Sequence, residues 1–471
     1  MDKSTGNESR HNHQLSRDVE RVNMATSPAL APTDMETRTI RRLRSRIIPF
    51  VFVLYVIAFL DRINIGFAAL TMNRELAITS QQFGFLSGIF FFGYFIFEVP
   101  SNLLLHKIGA RIWIARILIS WGIVAMLTGL VRTALHLYLA RFLLGVAEAG
   151  YFPGILLYLT YWFRQPQMAQ TIALFLVANP IASILGAPLS GVILDRVHWF
   201  GVSSWRWLLI LEGIPAILGG ILTYFLLPDR PAEAKFLTLE EKGWITAHLE
   251  REERQKLASR RVTAIQALAH GRVWHLTAVY FTAMIGSYTM FFWMPQLVKA
   301  ISSEYSNTRV GFMVMIPYLF ALIVMVLVGR SSDRTLERRY HAAIPLIIGA
   351  IALLMLGTTT TTSVLFSVTL WCLVASGVCS LWGPFWSLPN EFLAGFSVAL
   401  AIALVNSIGN LGSFAGPYAM GVINKKTGSF HGGLAVAGAS LFISAMLLIA
   451  LPKKNESACG ELDRKKTSNV N

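Results

Sequence analysis

The sequence has little charge and almost no cysteine. Only 14% of its 471 residues are charged, well below the quarter that is usual in soluble proteins, whereas 54% are hydrophobic. Its 3 cysteines form neither a disulfide framework nor a metal-ligand spacing, so redox and metal chemistry are disfavoured. We also find no nucleophile–base or phosphate-loop pattern, so an enzyme is not expected. So much apolar surface is instead expected to face lipid.

Long apolar runs recur from residue 47 to residue 451. Each covers roughly twenty residues, which as a helix is long enough to cross the ~30 Å hydrocarbon core of a bilayer. We therefore predict an all-α integral membrane protein with twelve transmembrane helices. The predicted spans lie near 47–70, 83–105, 112–131, 135–160, 168–194, 205–227, 273–298, 309–329, 342–360, 363–388, 396–423 and 431–451.

The net charge of +15 belongs mainly to the loops between these runs. In a soluble protein such an excess would suggest nucleic-acid binding, but here most Lys and Arg residues lie on loops of one side of the membrane. The stretch RRLRSR immediately precedes the first run. The positive-inside rule then predicts that both termini are cytoplasmic. We further expect a multi-pass protein of the plasma (inner) membrane that does not bind nucleic acid.

The longest internal polar segment divides the chain into two similar halves. Lys107 aligns with Arg334, and Pro188 with Pro417, at offsets of 227 and 229 residues. Parallel six-helix repeats around a central cavity are typical of secondary transporters. The predicted organisation is a disordered cytoplasmic N-terminal tail (1–46), a six-helix bundle (47–227), a cytoplasmic linker with an amphipathic surface helix (228–272), a second six-helix bundle (273–451) and a cytoplasmic C-terminal tail (452–471).

Several stretches resemble the major facilitator superfamily, and within it the anion:cation symporter family. These are YVIAFLDRINIGFAALTMN, GIFFFGYFIFEVPSNLLLHKIGARIWIARI, RFLLGVAEAGYFPGILLYLTYWF, GPFWSLPNEFLAG and NSIGNLGSFAGPYAMG. The sequence is similar to the bacterial branch that carries tartrate and 4-hydroxyphenylacetate permeases. The resemblance implies a major facilitator fold and a secondary active transporter in the bilayer. Because a single chain suffices for this fold, we expect a monomer. The resemblance further implies symport of a small organic carboxylate with protons, driven by the proton gradient without a cofactor or metal.

The loop after the second run departs from the superfamily motif G-x-x-x-D-R-x-G-R-R. Asn102 and His106 occupy the Gly and Asp positions, whereas the second copy keeps Gly329, Asp333 and Arg334. A gating salt bridge anchored by the acidic residue is therefore expected in the second half rather than the first. The predicted gating-loop residues are Lys107, Arg111, Asp333 and Arg334.

Four ionisable residues fall deep inside the first-half runs. On insertion scales, placing one charged side chain at the centre of a membrane helix costs about 2.5–3.5 kcal/mol, so each of these residues requires a structural or functional explanation. Arg141 and Glu148 are seven residues apart, hence on one helix face, and Arg141 is expected at the depth of Asp61. These residues and Arg62 either form a static ion-pair lattice or line a hydrated cavity.

In the second interpretation the chemistry divides between cation and acids. A guanidinium stays protonated and matches a carboxylate with its planar fork, so Arg62 would bind the anion. A carboxylic acid beside it would change its protonation as the anion takes over the arginine, which links anion binding to proton binding. The family resemblance implies the same roles: Asp61 and Glu148 couple protons, Arg62 binds substrate and Arg141 tunes the acids.

Other polar residues have two open interpretations. Glu98 is either a third cavity acid or a helix-packing hydrogen-bond partner. For most Trp, Tyr and Asn residues within the runs the simpler interpretation is packing or interhelical hydrogen bonding. The resemblance to the family implies that four of them contact the hydroxyls or ring of the substrate: Tyr94, Asn179, Trp386 and Asn406.

The residues leave other functions open besides symport. An organic anion exchanger and a proton-coupled antiporter would need similar spans, although a central arginine would repel a cationic drug. A solute sensor that does not transport would need a signalling domain, for which a C-terminal tail of this length offers little room.

Overall fold

The computed structural model describes residues 34–258, 270–301, 304–358, 363–391, 393 and 396–451. Within these residues the regular secondary structure is entirely helical. The predicted all-α class is therefore confirmed. Tail residues 1–33 and 452–471 and linker residues 259–269 lie outside the described residues; the boundaries predicted for the halves stay predictions.

The first half contains six helical spans, numbered here in chain order. Spans 4 and 5 are each divided into two helices. Span 4 breaks at Gly150, whose φ of 82° is left-handed and whose missing side chain leaves room for Ser101. The helices are Asp34–Glu75 (span 1), Ser80–Ile108 (span 2), Ala110–Thr128 (span 3), Ala134–Glu148 and Tyr151–Thr160 (span 4), Gln165–Leu176 and Ala178–Arg196 (span 5) and Ser204–Leu226 (span 6).

The second half repeats this pattern with spans 7–12. Span 11 is divided into helices of 14 and 16 residues. At ~1.5 Å per residue neither crosses a bilayer alone, so the two must cross together. The helices are Gly271–Ile301, Asn307–Thr335, Arg339–Thr358, Val364–Ser387, Phe396–Gly409 with Gly412–Thr427, and His431–Ala450; Leu239–Ala258 forms the linker helix, and short 3₁₀ turns occur at Trp199–Gly201, Pro231–Glu233 and Leu388–Glu391.

The structure corrects the predicted extent of the disordered tail, because residues 34–46 continue span 1 as a helix. This extension packs against the linker helix through ion pairs. The buried Glu241 carboxylate accepts a hydrogen bond from Arg42 (2.8 Å) and lies 3.3 Å from Nε of Arg38. Arg164 joins Glu36 and Glu252 in the same way. We call the membrane face that carries these contacts the linker side, and the opposite face the far side.

Replacing Glu241 with glutamine is expected to lower stability by about 1–3 kcal/mol at neutral pH, because it removes a carboxylate that accepts charged hydrogen bonds. Burial raises the pKa of Glu241, but the Thr238 N–H and the charges of Arg42 and Arg38 outweigh it, so the pKa lies below its ordinary value. A lowered pKa gives stability that is present above the unfolded pKa, ~4.3, and is lost as pH falls through the folded pKa.

Thermal unfolding of the two proteins at neutral and acidic pH tests this. The difference in Tm should shrink in acid. Glu240→Gln, at an exposed neighbouring position, is the matched control and should leave Tm unchanged. An equal Tm for Glu241→Gln and wild type at neutral pH would show that the ion pairs do not hold the linker helix.

On the far side the two halves are in direct contact along spans 5 and 8. Asp195, at the end of span 5, accepts hydrogen bonds from the backbone N–H of Asn307 (3.2 Å), its side-chain amide (2.8 Å) and the backbone N–H of Thr308 (2.7 Å). It thereby caps the first turn of span 8 across the interface. Spans 2 and 11 are also in direct contact. A side chain at Gly84 would collide with the carbonyl oxygen of Pro417.

Asp195→Ala is expected to shift the protein towards a conformation that is open on the far side, by about tenfold in population, because a charged acceptor of three hydrogen bonds is lost from one state only. Spin labels introduced as Arg196→Cys and Arg309→Cys, one on each half, measure this as a longer distance. Asp195→Asn, which keeps one acceptor oxygen, should give an intermediate population. An unchanged distance distribution in Asp195→Ala would exclude Asp195 as a far-side closure contact.

Candidate functional site

A cavity of ≈ 70 Å³ lies between the halves and is lined by residues from both. Because one buried water needs roughly 10–15 Å³, the cavity holds several water-sized groups, on the scale of a small organic acid. Its walls combine aromatic rings with a few polar groups. The polar and aromatic lining residues include Tyr55, Phe59, Arg62, Phe91, Tyr94 and Asn179 from the first half and Tyr280, Tyr288, Trp382, Trp386, Asn406 and Asn410 from the second.

All five residues predicted to contact a substrate line this cavity: Arg62, Tyr94, Asn179, Trp386 and Asn406. They come from spans 1, 2, 5, 10 and 11, so the fold brings together side chains that are far apart in sequence. Their role as substrate contacts stays a prediction. The geometry supplies a cation, amides and a phenol within reach of one small molecule.

Arg62 places its guanidinium at the cavity wall. Nη2 forms an ion pair with Oε1 of Glu148, and Nη1 lies 3.4 Å from the hydroxyl of Tyr288 in the second half. The guanidinium carbon lies 5.2 Å from the ring centre of Phe59 and 5.8 Å from that of Tyr94. With 16% of its side chain exposed, Arg62 is held by aromatic faces and one acid and still reaches the cavity.

The other three charged residues predicted in this region surround Arg62. Asp61, Arg141 and Glu148 are 2%, 2% and 0% exposed. The guanidiniums of Arg141 and Arg62 lie 5.3 and 5.6 Å from the same ring, that of Phe90, which places the two cations around one side chain. Such buried charges are expensive singly and require one another as partners.

The two acids differ in their partners. Asp61 accepts a hydrogen bond from the Asn64 amide at 3.2 Å. Glu148 pairs with Arg62 through Oε1, and its Oε2 has no hydrogen-bond partner among the described residues. The acid that holds the cavity arginine is therefore Glu148 in span 4, and not Asp61, the neighbour of Arg62 in sequence.

The predicted gating loops lie on the linker side, away from the cavity. Lys107 and Arg334 are exposed. Asp333 pairs with Arg338 of its own loop, so the expected acidic contact exists in the second half but does not join the halves. The remaining predicted residue, Arg111, uses an acid from outside the motif.

That acid is Asp229, at the end of span 6. It accepts a hydrogen bond from the Arg111 backbone N–H at 2.7 Å, and its Oδ2 lies 3.6 Å from Nε of the same arginine. Asp229 thus caps the start of span 3. The acid at this turn therefore comes from Asp229, which lies outside the loop motif.

Several aromatic and apolar lining residues were not named from the sequence, among them Tyr55 and Tyr280. Tyr55 lies seven residues before Arg62 and Tyr280 lies eight before Tyr288, spacings that place each pair on one helix face. This periodicity was the available signal. Glu212 of span 6 accepts a hydrogen bond from the Ser190 hydroxyl at 3.0 Å inside the first half.

Comparisons with known proteins agree with this architecture. The sequence matches the family model described as Major Facilitator Superfamily over residues 51–417. It is 45% identical to the "Putative tartrate transporter" of Agrobacterium vitis, covering 90% of this chain and 94% of that protein. It is 36% identical to the "Quinolone resistance transporter" of Acinetobacter baumannii, covering 93% of this chain and 99% of that protein.

The fold is similar to that of the xylose transporter XylE from E. coli in its partially occluded inward-open conformation. The TM-score is 0.70 at 14% identity, over 87% of this chain and 98% of that chain. At this identity the likeness concerns the fold alone. It agrees with the predicted pair of six-helix repeats.

Proposed function

We propose that this chain, which belongs to the Major Facilitator Superfamily, imports a small organic carboxylate together with protons. As a member of that superfamily it is a multi-pass membrane transporter and not an enzyme. The observation that carries the proposal is the position of Arg62: a permanent cation at the wall of the cavity between the halves, held by an acid that an anion can displace.

The coupling follows from competition for that arginine. An incoming carboxylate pairs with the guanidinium of Arg62 and breaks its ion pair with Glu148. The Glu148 carboxylate is then buried without a counter-charge. A buried acid without a counter-charge binds a proton more readily. Anion and proton thus favour each other's binding, which is the thermodynamic requirement of symport. Asp61 would be the second proton site and Arg141 the cation that tunes both acids.

Tartrate is the substrate that we favour. The Agrobacterium vitis relative named "Putative tartrate transporter" is similar over nearly the whole chain. Asn179, Asn406 and Tyr288 supply hydrogen-bonding groups for hydroxyls, while the rings of Trp382 and Trp386 would suit an aromatic acid of the hydroxyphenylacetate kind. We further propose an inner-membrane location with cytoplasmic termini, function as a monomer, and the proton gradient as the only energy source.

Thermal unfolding of the purified protein with a panel of carboxylates, at acidic and neutral pH, tests the proposal. A ligand present at 100 times its Kd stabilises the protein by about 2.7 kcal/mol, so a true substrate raises Tm. The shift should be larger in acid, since protons favour the anion. No stabilisation by any carboxylate at either pH would remove the proposed function.

A second candidate is a proton-coupled antiporter, which the similarity to the protein named as a quinolone resistance transporter favours. The pH outside proteoliposomes after addition of substrate separates the mechanisms. Symport raises the external pH, proton antiport lowers it, an anion exchanger leaves it unchanged, and a sensor binds the ligand without taking it up. Arg62 speaks against a cationic drug, which it would repel.

A further inference from the structure

Glu98 of span 2 connects the two halves beside the cavity. Its side chain is 3% exposed and accepts two hydrogen bonds of 2.8 Å, from the Asn406 amide and from the Ser407 hydroxyl. Both donors belong to span 11, in the other half. Glu98 follows the cavity residue Tyr94 by one helical turn towards the linker side, so this bridge lies next to the cavity on that side.

These contacts determine which way the Asn406 amide faces. While Glu98 is ionised its carboxylate only accepts hydrogen bonds, so the group that faces it is the NH₂ of Asn406 and not the carbonyl oxygen. The Tyr280 hydroxyl, 3.4 Å from Oδ1, donates to that carbonyl. A flipped amide would set an oxygen against the carboxylate and lose both contacts.

This orientation matters because Asn406 lines the cavity. An amide nitrogen carries two hydrogens, and Glu98 takes one of them. The second remains for a ligand. Asn406 therefore offers the cavity an N–H donor, which suits a hydroxyl or carboxylate oxygen on the part of a ligand that Arg62 does not bind.

We propose that Glu98 is a positioning residue of the carboxylate site: it fixes Asn406 as a donor and so selects anions that carry a second acceptor group. The inference rests on the proposed function and narrows it, because it favours a hydroxy acid such as tartrate over a monocarboxylate with an apolar remainder. It also ties spans 2 and 11 together while the ligand is bound.

The test measures the Kd of tartrate and of butyrate, a four-carbon acid without hydroxyls, for the purified full-length protein by calorimetry. Glu98→Met removes both acceptor oxygens at similar size and should weaken tartrate binding about tenfold while leaving butyrate within threefold. Glu98→Gln should keep tartrate within threefold of wild type, because its carbonyl accepts from Asn406 and the Ser407 hydroxyl turns to accept from its NH₂.

Asn406→Ala supplies the second readout. If Glu98 acts through Asn406, then adding Glu98→Met to Asn406→Ala should cost no further tartrate affinity, whereas independent roles would add. Additive losses, an equal loss for both ligands, or a Gln variant as weak as the Met variant would each overturn the inference. If Glu98→Met does not fold, Glu98→Leu, which also lacks both acceptor oxygens, takes its place in both comparisons.

Failure of the inference is distinguishable from failure of the proposed function. If the wild-type protein binds no carboxylate, the function itself is wrong. If wild type binds tartrate and Glu98→Met binds it equally well, the function stands and the positioning role is excluded.

Discussion

Arg62→Ala is expected to lower tartrate uptake and binding at least a hundredfold. The substitution removes the charged fork that receives the carboxylate, and it leaves the buried Glu148 without its counter-charge. Truncating one partner of a buried, hydrogen-bonded charge pair between a protein and its ligand costs about 2–5 kcal/mol of binding free energy, and the middle of that range corresponds to a few hundredfold at 1.4 kcal/mol per tenfold. Uptake of labelled tartrate into proteoliposomes and the Kd of the purified protein measure the effect.

Two further variants make the Arg62 experiment specific. Arg74→Ala, at an exposed position near the far end of the same span, is the matched control and should transport normally. Arg62→Lys keeps the charge but loses the planar fork, so its affinity should lie between those of wild type and alanine variant. Accumulation of tartrate by Arg62→Ala at the wild-type rate would refute the proposed anion site.

Asp61→Asn is expected to abolish proton-driven accumulation while leaving exchange of labelled for unlabelled substrate. Asparagine keeps the shape of the side chain and its contact with Asn64, but it cannot take up and release a proton. Uptake against a concentration gradient needs that proton, whereas exchange returns the same loaded carrier in both directions. The expected loss of gradient-driven uptake is at least tenfold.

The comparison of two assays on one preparation decides this prediction. Asp34→Asn, exposed at the first turn of the same span, should accumulate and exchange substrate as wild type does. If Asp61→Asn accumulates substrate fully under a proton gradient, Asp61 has no part in the coupling. If it loses exchange as well, Asp61 acts in binding or in structure rather than in proton transfer.

Helix positions were largely predictable because hydropathy is a property of each segment by itself. The apolar runs predict the spans, and the cost of burying charge in lipid distinguishes Asp61, Arg62, Arg141 and Glu148 from the sequence alone. The helix over residues 34–46 was not predicted, and the acid that its Arg42 contacts, Glu241, lies 199 residues away in the sequence.

The aromatic part of the cavity was harder to predict than its charged part. A tyrosine in a membrane helix costs little wherever it lies, so Tyr55 and Tyr280 carried no signal beyond their spacing from Arg62 and Tyr288. An arginine within an apolar run is informative by itself, because burying its charge in a membrane is costly without a partner. The cavity residues that could be predicted from the sequence were therefore those whose burial in the membrane is energetically costly.

The sequence by itself determined the membrane-spanning architecture, its twofold repeat and the presence of a cation beside acids in the first half. Only the tertiary structure decided which partners meet: Glu148 rather than the adjacent Asp61 holds Arg62, and Glu98 bonds to Asn406, 308 residues away. The physical reason is that hydropathy acts locally along the chain, whereas pairing depends on how helices rotate and pack against one another.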